Sequence, residues 1–117
     1  MKQHITVKQL QELGLEPLPI GELGKLFRID FVAQIKGMLM FDQSIRDVND
    51  AIEEIASQIT IGTMMDALCK YRVVVLGVII DEYKQHAFGE HPEFELCDEL
   101  WESIKSIVFD NMTKLIN

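Results

Sequence analysis

The hydrophobic positions of this chain recur mostly with a helical period, and its longest uninterrupted apolar run is Val73-Val74-Val75-Leu76-Gly77-Val78-Ile79-Ile80. Six of these eight residues are β-branched, so local preference alone favours a strand. The flanks favour a helix. On a helix spanning 63–88, Asp66, Lys70, Gly77, Asp81 and Lys84 form one narrow polar ridge, and the remaining circumference is apolar through the middle. A strand this apolar would be buried on both faces and would need neighbours in a sheet. The other strand-like pieces, Ile59-Thr60-Ile61 and Ile104 to Phe109, fit helix ends or helix faces better. The run is therefore expected to be the middle of a buried helix, and a charge at Val75 or Ile79 is expected to unfold the protein.

Turn residues divide the rest of the chain into helices. Thr6 followed by Gln9 makes a capping box that opens a short helix ending near Gly14. Glu16-Pro17-Leu18-Pro19-Ile20-Gly21 reads as a packed loop. A second helix is expected from about Glu22 to Met40, with Leu23, Phe27, Phe31, Ile35 and Met38 on one face and Gly24 and Gly37 weakening it. Ser44 reads as the cap of a third helix carrying Ile45, Val48, Ile52, Ile55, Ala56 and Ile59, with Asp47 at its third position and a stop near Thr60-Ile61-Gly62. Thr63 with Asp66 offers the next cap. Pro92 followed by Glu93 and Glu95 opens a last helix with Phe94, Cys97, Leu100, Trp101, Ile104, Val108, Met112 and Leu115 on one side. Residues 1–117 thus read as a single all-α domain, a compact bundle of about five helices around a buried central helix at about 63–88.

Composition adds a constraint on surface. Hydrophobic residues make up 48% of a 117-residue chain, more than a body this small readily buries, so some apolar surface is expected to meet another subunit or a partner. No apolar run approaches the roughly 20 residues needed to span a bilayer, and no secretion leader is apparent, which favours a cytoplasmic protein. In that reducing setting Cys69 and Cys97 read as small core residues. The net charge of −8 repels nucleic acid and suits basic partner surfaces. It is uneven: residues 37–66 hold six acids against Arg46, and residues 90–117 hold seven acids against Lys105 and Lys114.

Few constellations carry chemistry. Glu54 to Thr63 resembles the first helix and turn of a helix-turn-helix motif, but Thr60 stands at the usual glycine and Asp66 where an apolar residue should pack. The following Thr63-Met64-Met65-Asp66 also offers no base for DNA. His86, Glu90, His91, Glu93 and Cys97 lack the paired spacing of a zinc site. Asp50 with Glu53 resembles the first acidic pair of all-α nucleotide pyrophosphohydrolases. The second pair is incomplete, because Val78 and Gln85 stand one turn from Asp81 and Glu82. Glu82 and His86 are one position too far apart for a ferritin-type di-metal site. No phosphate loop, serine elbow or cysteine nucleophile motif is present, and no cofactor or metal is expected. Two surfaces remain as candidate protein contacts. Glu95, Asp98, Glu99 and Glu102 form an acidic face along one side of the last helix, and Met64 with Met65 forms an apolar patch.

The opening segment Ile5-Thr6-Val7-Lys8-Gln9-Leu10-Gln11-Glu12-Leu13 resembles those of small accessory proteins from phages and prophages of Gram-positive bacteria. The resemblance implies an inhibitor of a host factor, a regulator or an assembly chaperone, and it carries over no site residue. The expected function is that of a non-enzymatic, acidic, α-helical protein acting by protein–protein contact, with a basic protein partner and a homo-oligomer, a dimer being favoured. The alternative is a small-molecule sensor with its ligand beside Gly77 on the central helix; an all-α nucleotide pyrophosphohydrolase and a helix-turn-helix DNA binder rank below it.

Overall fold

The capping box at Thr6 forms as the sequence requires: the Thr6 hydroxyl accepts the Gln9 amide at 3.1 Å and the Gln9 side chain accepts the Thr6 amide at 3.0 Å. It opens α1 (Val7–Gln11) in the computed structural model, which describes residues 2–87 and 95–116. The helices that follow are α2 (Pro17–Phe27), α3 (Phe31–Phe41), α4 (Val48–Gln58), α5 (Ile61–Tyr71), α6 (Val73–Ala87) and α7 (Leu96–Ile116). The fold is all-α, with seven helices rather than about five among the described residues.

Two expected helices are each split. The segment from Glu22 to Met40 breaks at Arg28, which adopts a left-handed conformation (φ 57°) as the C-cap of α2, and Asp30 then caps α3 by accepting the Ala33 amide at 3.0 Å. The Ile29 amide returns to the Gly24 carbonyl at 3.0 Å, and the Ile29 carbonyl oxygen would lie 2.3 Å from a Cβ at position 24. Gly24 is therefore required by this bend and is no mere weak point of a long helix. The Glu16–Gly21 segment is helical from Pro17 onwards. Its prolines fall in the first turn, where amide hydrogens have no intrahelical acceptor, so they cost the helix nothing there.

The expected helix over 63–88 breaks at Arg72 (φ −147°, ψ 56°), whose amide closes α5 on the Leu68 carbonyl at 2.7 Å. The polar ridge from Asp66 to Lys84 consequently does not exist as one line. Cap positions also shift. Asp47, not Ser44, caps α4, and the Ser44 amide and hydroxyl instead donate to Asp42. Thr60, not Thr63, caps α5 in a reciprocal pair with Thr63.

Packing runs in a broad sheet of helices: α3 lies on α2 and α4, α2 on α5 and α7, and α6 on α5 and α7. The N-terminal segment ties its middle together. Ile5 donates to the Ile59 carbonyl and Ile61 to the Gln3 carbonyl, an antiparallel bridge across the α4–α5 junction. The core is contributed by every helix but depends most on α7, where Cys97, Leu100, Trp101, Ile104 and Val108 are fully enclosed. Trp101 is the largest of them, as its place in the pattern suggests.

The β-branched run is helical but not central. Over residues 73–86 of α6 only Leu76 (8% exposed) and Ile79 (5%) are buried, whereas Val73, Val74 and Val78 are 61%, 77% and 53% exposed. The helix packs by one stripe on α5 and α7 and turns its valines outward. Val75, also exposed, will accept a charge that Ile79 will not. No helix among the described residues is long and apolar enough to cross a membrane.

Candidate protein-contact surface

The outer face of α6 arises because its apolar stripe is wider than the groove that receives it. Leu76, Ile79 and the partly buried Ile80 and Tyr83 occupy the groove between α5 and α7. Val74, Gly77, Val78 and Asp81 lie on the opposite side of the helix, with Val73 and Val75 on its flanks. No charged residue falls between Val73 and Ile80. At the head of the helix Arg72 donates from Nη2 to Asp110 Oδ2 at 2.9 Å, fixing the break between α5 and α6 to α7. A second apolar exposure lies at the end of α3, where Leu39, Met40 and Phe41 are 43%, 72% and 80% exposed, near the half-exposed Val48.

The proposed methionine patch is not there. Met64 is fully enclosed in the core and Met65 is half-buried, because α5 turns this side toward α2 and α7; among the described residues Met40 is the exposed methionine. Cys69, expected in the core, is exposed, whereas Cys97 is buried and its thiol is pushed up to about 11 by burial.

The acidic face on α7 is partly consumed by the fold. Asp98 forms an ion pair with Lys2 and accepts from Gln9 Nε2 at 2.8 Å, tying the N-terminal segment to α7. Glu102 accepts from Lys105 at 3.0 Å, and Lys105 also donates to Glu12 at 2.6 Å, which raises the lysine's pKa. One carboxylate oxygen of Glu95 is enclosed without a hydrogen bond. Glu99 remains exposed beside a shallow cleft of about 200 Å³ shared with Arg72, Val75, Glu102, Ser103 and Ser106. Asp98 thus holds the N-terminal segment and α1 against α7 while Glu102 pairs within α7, and the four acids do not project as a continuous row.

Other candidate chemistry does not converge. Asp50 and Glu53 lie on α4, which packs on α1 and α3, whereas Asp81 and Glu82 lie on α6, which packs on α5 and α7. Asp50 meanwhile accepts the Arg46 amide at 2.9 Å. Among the described residues no group of three or more acidic, histidine or cysteine side chains is placed to hold a metal ion. Glu90, His91, Glu93, and the expected helix start at Pro92 with Phe94, lie outside the described residues. The helix-turn-helix reading requires its two helices to pack together. Instead α5 packs on α2, α6 and α7, and its first turn is joined to the N-terminal segment through Ile61.

No family model, curated protein or solved structure matches this chain. Its own geometry is therefore the basis for a reading.

Two further clefts lie elsewhere on the fold. One of about 410 Å³ is lined by Gly21, Gly24, Lys25, Arg28 and Phe31, and another of about 320 Å³ by Phe27, Arg28, Thr63, Asp66 and Lys70. Both flank the Arg28–Ile29 bend. The outer valines of α6 were missed in the sequence because a hydrophobic run gives no sign of how much of its circumference the neighbours will cover.

Proposed function

We propose that this protein is a non-enzymatic, acidic accessory protein that acts through protein–protein contact, with α6 as its contact element. The exposure of Val73, Val74 and Val78 carries this reading. A contiguous apolar patch of this kind on a small domain is costly to leave in water and is the common mark of an interaction site. Valine side chains are stiff, so little rotamer freedom is lost when the face is covered. Asp81 and Glu82 border the patch and Glu99 lies across the Arg72 cleft from it, which suits a partner with a basic rim.

The resemblance of residues 5–13 to phage and prophage proteins of Gram-positive bacteria fits a cytoplasmic inhibitor of a host factor, a regulator or an assembly chaperone. The test is affinity capture from a Gram-positive bacterial lysate, with mass spectrometry, using wild type and Val74→Glu/Val78→Glu side by side. The variant is expected to differ from the wild type in the proteins it captures or in its own mass in solution. The reading falls if wild type and variant match both in what they capture and in their own mass in solution. A ligand sensor is the second reading, supported by the two clefts at Arg28–Ile29.

A further inference from the structure

Gly77 sits in the middle of α6, on its exposed side, and a Cβ built there would meet nothing within 4 Å. A mid-helix glycine weakens a helix relative to alanine, and the chain's own packing does not require this one. It leaves a notch bordered by Val73, Val74 and Val78. Ridge and notch therefore occur together on one uncharged helical face.

We infer that α6 pairs with α6 of a second copy of this chain, antiparallel about a two-fold axis near residues 75 and 76. This rests on the protein-contact reading above and names its occupant. In this register Val74 of each copy seats over Gly77 of the other, and Val73 lies against Val78. A two-fold contact needs one surface that complements itself, and a helix carrying both the projection and the recess meets that need. The charges agree with the antiparallel sense. Asp81 of each copy then lies by the start of the other copy's α6, where the helix N-terminus favours an acid. A parallel pair would set Asp81 against Asp81.

The area sets a bound. From their fractional exposures the four outer valines offer on the order of 400 Å² per copy, and Gly77, Asp81 and Gln85 bring the face to about 500 Å². Two copies would bury at most about 1,000 Å², the low end for specific interfaces, so association no tighter than the micromolar range is expected. The isolated chain is also more open than its size demands. Its accessible surface is 7330 Å² where about 6,500 Å² is typical, and its radius of gyration is 15.2 Å where about 13 Å is typical.

Sedimentation equilibrium of the full chain between about 1 and 200 μM tests the pairing. A mass rising toward twice 13.4 kDa is expected. Val74→Glu and, separately, Gly77→Leu should weaken association at least 100-fold while leaving the helical circular dichroism unchanged, because neither position is packed inside the chain. Met40→Glu, on the other exposed patch, should leave the dimer intact. A wild type that stays monomeric to 200 μM, or a dimer that dissociates with Met40→Glu but not with Val74→Glu, overturns the α6 pairing. A monomer whose lysate partner is still lost with Val74→Glu would overturn the pairing alone and leave the contact reading standing.

Discussion

Charging the two sides of α6 should have opposite consequences, and this contrast is the most direct probe of how the helix sits. Ile79 is 5% exposed among α5 and α7 side chains. Replacing it by aspartate removes most of a buried isoleucine, worth about 2–5 kcal/mol when truncated to alanine. It also buries a carboxylate within the hydrophobic cluster, which costs several kcal/mol more unless the group stays protonated. Against a total stability of about 5–15 kcal/mol for a domain of this size, Ile79→Asp should leave little or no folded protein. Val74 is 77% exposed, so folding removes only a small part of its surface from water. Val74→Glu should change stability by no more than about 0.5 kcal/mol, helped slightly by glutamate's better helix preference. The assay is urea unfolding followed by circular dichroism at about 1 μM, where association contributes little. A Val74→Glu midpoint corresponding to a loss above about 2 kcal/mol would refute the outward orientation of the valines. A stable Ile79→Asp would refute the docking stripe.

Two glycines should respond to alanine in opposite directions. Gly24→Ala should destabilise by more than about 2 kcal/mol, since its Cβ would press on the Ile29 carbonyl, whereas Gly77→Ala should stabilise the monomer by about 0.5–1 kcal/mol; thermal melts at low concentration distinguish them. Trp101→Ala should cost about 3–5 kcal/mol in urea unfolding because the ring is fully enclosed. Native protein should react with a thiol reagent at pH 8 through one cysteine, Cys69, and with two in denaturant; rapid reaction of both in the native state would contradict the burial of Cys97. The pKa values of Cys97 and Lys105 are both raised on folding, Cys97 from 9.0 to about 11. Each therefore contributes stability that is complete below its unfolded value and is lost as pH rises through the folded one. The melting temperature should hold to about pH 9 and fall toward pH 11, and Cys97→Ala should flatten part of that fall.

The periodic positions, the Thr6–Gln9 capping box and the long last helix around Trp101 were legible in the sequence because they depend on neighbours three or four residues away. The helical state of Val73–Ile80 was legible too, against its β-branched composition, once the flanking polar positions were considered. What local pattern could not supply was the count of helices. Arg28 and Arg72 break two apolar stretches without proline or glycine at the break, and bonds that form only in the folded chain, among them Ile29 to Gly24 and Arg72 to Asp110, hold those turns.

Exposure likewise belonged to the tertiary structure. A sequence states that a side chain is apolar, but how much of it is covered depends on the groove offered by other helices. That is why Met64 went inside, Met40 outside, and the most hydrophobic run in the chain to the rim of the molecule. The acidic side of α7 shows the same division. Its charges were written in the sequence, whereas the pairing of Asp98 with Lys2 and of Lys105 with Glu12 required the N-terminal part of the chain to fold back across the last helix.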